Sequence, residues 1–170
     1  MQTTEWVIVL CNSLVAGLLL FASFAKLVSP AALSRSLLLL TGRESLSTVT
    51  AVRAVGLVEI IVAIGLMFPD LRLTAAAALG VLGLVFAFSG AMARVRHIAE
   101  PCGCFGMVTS RPLGLLNVFF GAALMAVAAV NFLPRESLAA QYTVKLPVFT
   151  GILLCVICLA LKPRAPKAAA

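Results

Sequence analysis

The sequence predicts an all-α integral membrane protein, a bundle of four transmembrane helices with a fifth span near the C-terminus. Three observations carry this expectation. Of the 170 residues, 62% are hydrophobic and only 11% are charged, where soluble domains carry about 25% charged residues. The apolar residues fall in runs near the roughly 20 positions that a helix needs to cross a hydrocarbon core of ~30 Å. Finally, the thirteen Lys and Arg stand mostly at the ends of those runs, as in a membrane protein that uses basic residues to set its topology. A soluble fold of this length would leave too much apolar surface in water. The net charge of +7 is therefore a topology signal. No basic stripe with interleaved aromatics points to nucleic acid.

The first span is residues 6–28, with Trp6 as an interfacial anchor and Lys26 able to snorkel at the far end. A cleaved signal peptide fits poorly, because Met1 to Glu5 lacks a basic segment and the apolar run is long. Pro30 stops the helix. Residues 31–40 are too few to span and read as an interfacial helix closed by Thr41-Gly42. The second span, 52–68, holds Arg53 and Glu59; Pro69-Asp70 turns the chain into an antiparallel third span, 73–93. Small residues along the third span, among them Gly80, Gly83, Ala87 and Gly90, suit close helix contact in lipid. The polar segment 94–112 follows, then a fourth span at 113–133 with Asn117 inside it. A fifth span at 144–161 carries Cys155 and Cys158, and a basic, proline-broken tail at 162–170 is expected to be disordered.

Five spans place ten of the thirteen basic residues on one side of the membrane. By that bias the N-terminus lies outside, and the C-terminus and the 94–112 loop lie in the cytoplasm.

That loop holds the chemistry. In Pro101-Cys102-Gly103-Cys104-Phe105-Gly106, two thiols one glycine apart can close to a disulfide or open to a dithiol with little backbone movement. Arg94, Arg96, His97 and Arg111 supply positive charge that favours the thiolate, with Glu100 opposing. Gly103 can adopt the angles a tight ring requires. A strained bridge exchanges readily. A static disulfide, a pair of inert thiols, and a metal site completed by His97 are the competing readings; a metal would lack a fourth ligand at ordinary spacing. Glu59, in mid-span, must face the bundle interior and find a partner, with Lys26 and Arg53 both candidates. It could relay protons, line a quinone headgroup site, or form an ion pair that fixes packing. The last reading is favoured slightly. Cys155 and Cys158 share a helix face and could form a second relay pair, although thiols in such a span more often act as small apolar groups. The same holds for Cys11 beside Asn12 and Ser13.

The 101–106 segment resembles the signature loop of the MauE family of methylamine utilisation membrane proteins. Phe24-Ala25-Lys26-Leu27 with Pro30, and Arg53-x-x-Gly56-x-x-Glu59, are similar to the wider DoxX-like superfamily. The resemblance covers roughly residues 6–133 and implies a bacterial inner-membrane protein. Its redox pair would be Cys102 and Cys104, with Gly103, Phe105, Gly106, Lys26, Arg53, Glu59 and His97 in support. It further implies a thioredoxin-like partner of the MauD type and an exported client, the disulfide-rich small subunit of methylamine dehydrogenase. No bound cofactor or metal is expected. A periplasmic partner conflicts with a cytoplasmic loop, so either the loop folds back into the membrane or a cytoplasmic thioredoxin supplies electrons, as in CcdA-type conduits. The alternatives are a quinone-linked disulfide oxidase of the DsbB or VKOR kind, a non-catalytic assembly factor and, more weakly, a small-solute transporter.

Overall fold

The computed structural model describes residues 3–44, 48–98 and 114–133, and every element among them is helical. These are α1 (Thr3–Val28), α2 (Ala31–Thr41), α3 (Val49–Met67), α4 (Arg72–Val95) and α5 (Leu115–Val130), with a 3-10 turn at Pro69–Leu71. Stretches long and apolar enough to cross a membrane run along α1 (Ile8–Val28), α3 (Val49–Met67) and the 3-10 turn together with α4 (Pro69–Val95), and α5 is a shorter apolar helix. The expected fifth span at 144–161, the tail, and Cys102, Gly103, Cys104, Phe105, Gly106, Cys155 and Cys158 lie outside the described residues.

Local chemistry sets the boundaries. Gly42 takes the left-handed conformation (φ +65°) and its N–H bonds Leu38 O at 2.8 Å, which ends α2. Thr48 begins α3 one turn earlier than the apolar run suggests: its Oγ1 accepts from the Ala51 N–H at 3.2 Å. Pro69, with its preset φ and no N–H to lose, starts the 3-10 turn that reverses the chain into α4. Helix α4 runs to Val95, two residues past the expected end of the third span. The expected fourth span of 113–133 contracts to Leu115–Val130. Beyond Val130 the bonds become i→i−3, with Phe132 N–H on Ala129 O at 3.1 Å and Leu133 N–H on Val130 O at 3.3 Å. The tightened turn brings Asn131 inward.

Helix α1 packs on α3, α3 on α4, α4 most extensively on α5, and α5 returns to α1. The ring is antiparallel at each step that the glycines report. Gly65 of α3 faces Ala75 of α4, and Gly83 and Gly90 of α4 face Gly121 and Gly114 at α5. Along α3 the buried Val52, Gly56, Glu59, Val62, Ala63 and Leu66 recur at helical spacing and form the inner face.

The polarity is inverted relative to a soluble bundle. Ile61, Val81, Phe88 and Phe119 are more than 60% exposed, while Asn12, Ser13, Ser23, Lys26, Ser36, Glu59, Asn117 and Asn131 are buried. Only a lipid solvent makes that arrangement favourable: large apolar side chains face hydrocarbon, and polar groups find partners inside.

The buried polar groups fall into two layers. Asn12 and Asn131 form a reciprocal amide pair, Asn12 Nδ2 donating to Asn131 Oδ1 at 2.9 Å and Asn131 Nδ2 to Asn12 Oδ1 at 2.8 Å. Asn131 Nδ2 also reaches Val127 O at 2.8 Å. Ser23, Lys26 and Glu59 lie toward the other end, about 16 Å along α1 at 1.5 Å per residue. Between them sits an apolar slab including Val15, Ala16, Leu19, Val62, Leu66, Leu79 and Ala128.

Candidate functional site

Two sequence segments that share no local neighbourhood meet in this fold. On α1, Ser23 and Lys26 are three residues apart and occupy one face. On α3, Gly56 and Glu59 do the same. Gly56 lies at the crossing: a Cβ there would lie 3.4 Å from Ser23 O and 3.7 Å from Lys26 Cβ, in ordinary van der Waals contact with both.

With the backbones this close, the Lys26 ammonium reaches both carboxylate oxygens of Glu59, Oε1 at 2.9 Å and Oε2 at 2.8 Å. A third acceptor, Ala22 O, lies at 3.4 Å on its own helix. Ser23 Oγ stands 2.6 Å from Leu19 O and 3.2 Å from Glu59 Oε2, so its single proton serves one acceptor at a time. Lys26 is 1% exposed and Glu59 0%. Two charges out of water are costly, and only a close two-point contact with supporting hydrogen bonds offsets that. Chemically the cluster is a neutral unit that fastens the end of α1 to the middle of α3.

Arg53, the other basic residue considered for Glu59, is exposed. The helical repeat explains this: six residues advance a helix by about 120° from alignment, so Arg53 and Glu59 cannot share a face. Asn131, which sequence reasoning did not single out, is fully buried and pairs with Asn12 across 119 residues. Cys11 is a half-buried free thiol on α1. Among the described residues, no cluster of three or more His, Cys, Asp or Glu could hold a metal.

The same end of the bundle carries both anchors of the cysteine loop. Ile98, like Phe86 and Met92, packs against the buried cluster of Leu40 and Ala93, so the chain leaves α4 beside α2. Arg96 Nη1 donates to Leu40 O at 2.7 Å, which satisfies a carbonyl in the last turn of α2. Gly114, where the chain re-enters, sits against Gly90 of α4. His97 is exposed between these contacts and has a positive φ of 53°. The structure thus brings Lys26 and Glu59 together, sets Arg53 outside, and uses His97 in a backbone turn.

An inside-out helical bundle fastened by a fully buried ion pair defines the class: a polytopic membrane protein, with α2 and both anchors of the cysteine loop at one end. The model of the family described as methylamine utilisation protein MauE matches residues 4–134, and the chain belongs to that family. No curated protein and no solved structure matches it. The matched range includes the Cys102–Cys104 loop and ends before Cys155 and Cys158.

Proposed function

We propose that this protein passes electrons by thiol–disulfide exchange through Cys102 and Cys104, to or from a thioredoxin-like partner, in support of the maturation of an exported disulfide-containing protein. The observation that carries the reading is the family match across the whole loop, together with loop anchors built into packed helix ends. In the oxidising direction, the thiolate of one partner cysteine attacks the Cys102–Cys104 disulfide and forms a mixed disulfide. The partner's second thiolate then displaces this protein's sulfur. Two electrons pass to this protein, which takes up protons as its dithiol forms, and the partner leaves as a disulfide. The reverse sequence reduces the partner. No bound cofactor is required for either.

The reading places the protein in the bacterial inner membrane with the loop-bearing end in the cytoplasm. Arg35, Arg43, Arg53, Arg94 and Arg96 are exposed at that end, whereas Arg72 is the described basic residue at the other. A cytoplasmic thioredoxin-like protein is then the direct partner. Residues 144–161 would form a fifth span, and Cys155 and Cys158 lie outside the proposed exchange. The apolar slab between the polar layers argues against a polar path for solutes through this bundle.

Single Cys102→Ser and Cys104→Ser variants test the exchange. One of the two should accumulate a mixed disulfide with a thioredoxin-fold protein, visible as a reducible adduct after acid quenching of cells, because the resolving thiol is gone. If neither variant forms an adduct and the double serine variant still supports client maturation, the protein is an assembly factor and the exchange reading is wrong.

A further inference from the structure

Arg53 is the charge that the buried ion pair leaves over. It stands about 6 Å along α3 from Val49 at 1.5 Å per residue, inside the apolar stretch Val49–Met67. Its side chain is exposed, and on the outside of a membrane bundle exposure means contact with lipid. Glu59 is taken by Lys26, and among the described residues Arg53 makes no hydrogen bond or ion pair. A guanidinium bordering hydrocarbon extends toward the interface and takes an anion there where one is offered.

Arg53 also heads an apolar stripe. Leu57, Ile61 and Ile64 follow it at helical spacing and share its face of α3. All three are exposed, Ile61 at 68%, while Val52, Gly56, Glu59, Ala63 and Leu66 line the inner face. From Arg53 to Ile64 the helix rises about 16 Å at 1.5 Å per residue, which matches half of a hydrocarbon core of ~30 Å. A cationic head above an apolar track one leaflet deep has the form of a phospholipid.

The charge around that head selects the kind of lipid. Helix α2 packs against both α3 and α4, and Arg96 Nη1 ties the end of α4 to Leu40 O at 2.7 Å. Arg35, Arg43, Arg94 and Arg96 are exposed at the same end as Arg53, and among the described residues there Glu44 is the exposed carboxylate. Such an excess attracts a headgroup of net negative charge and repels the ammonium of a zwitterionic one.

We propose that Arg53 holds the phosphodiester of an anionic phospholipid from the leaflet at the α2 end of the bundle, with an acyl chain along Leu57, Ile61 and Ile64. Arginine suits the task because two N–H groups of its planar fork meet two phosphate oxygens at once. The site is separate from the cysteine chemistry and stands whether or not that pair cycles.

A tryptophan set on the track by Ile61→Trp, in a Trp6→Phe background that removes the native one, reports which lipid lies there. The full-length protein is reconstituted in phosphatidylcholine vesicles holding a minor fraction of brominated phosphatidylglycerol, or the same fraction of brominated phosphatidylcholine. Either lipid quenches on contact, and phosphatidylglycerol should quench more. Arg53→Gln should lower that preference about fivefold, the loss of one arginine near the membrane surface. Arg53→Lys keeps the charge without the fork and should lower it less. Arg72→Gln, at the opposite end, should leave it unchanged, and the melting temperatures in pure phosphatidylcholine should agree for all variants. Equal quenching by the two lipids in the reporter protein would overturn the proposal. So would a preference that survives Arg53→Gln, or one that Arg72→Gln removes as fully, because net charge would then be choosing the lipid.

Discussion

Replacing Lys26 by methionine is expected to destabilise the bundle by about 3–5 kcal/mol, because it strands the fully buried Glu59 carboxylate without its counter-charge. Glu59→Leu should cost a similar amount by stranding the ammonium. The double variant Lys26→Met with Glu59→Leu removes both charges and fills the space with apolar groups, so it should recover most of that loss. Unfolding in mixed micelles, followed by helix signal against denaturant, gives all three values and the coupling between them. Near-additive losses would show that the two side chains do not depend on one another.

The double variant also decides what the pair is for. Its geometry is saturated: the ammonium meets two carboxylate oxygens and a carbonyl. A saturated contact serves packing better than proton transfer, so the stable double variant should keep thiol exchange with its partner. Loss of exchange in a variant that remains folded would make Lys26 and Glu59 part of the chemistry.

The second large effect is expected at the α4–α5 crossing. A Cβ on Gly83 would lie 2.7 Å from Gly121 O, 3.0 Å from Met125 Cγ and 3.1 Å from Leu124 Cβ. The nearest of these is backbone and cannot swing aside. Gly83→Leu should therefore cost about 3 kcal/mol or more, at or above the usual range for overpacking. It should also pry apart the two helices that hold the cysteine loop. Gly80→Ala is the matched control, since a Cβ there meets only Ala128 Cβ at an ordinary 3.6 Å. If the two variants unfold at the same denaturant concentration, the close crossing is not what stabilises this pair of helices.

Much of this was legible in the sequence. The inverted polarity follows from apolar runs too long for a soluble fold, and the turn at Pro69-Asp70 from the fixed φ of proline. The partnership of Lys26 with Glu59 was one of two choices that the sequence left open, Arg53 being the other. Other features were hidden for physical reasons. The Asn12–Asn131 pair depends on how α5 tightens past Val130, and nothing near either residue announces it. Thr48 hides the first turn of α3, because a cap depends on backbone angles rather than on hydropathy. His97 holds a feature of another kind. Its place in the basic segment before the cysteines is plain in the sequence, and its left-handed backbone can be known only from the fold. Gly56 reads in sequence as one more small residue, and its function becomes clear only when Lys26 lies across from it.

The most direct test of the account is thiol labelling of the protein in intact cells. A membrane-permeant and an impermeant maleimide would be compared before and after reduction, with Cys102→Ser and Cys104→Ser as controls. The account predicts that Cys102 and Cys104 are partly oxidised in the growing cell, that their labelling rises together on reduction, and that only the permeant reagent reaches them. Thiols that stay fully reduced in every condition would contradict the redox function, and labelling by the impermeant reagent would put the loop on the other side of the membrane.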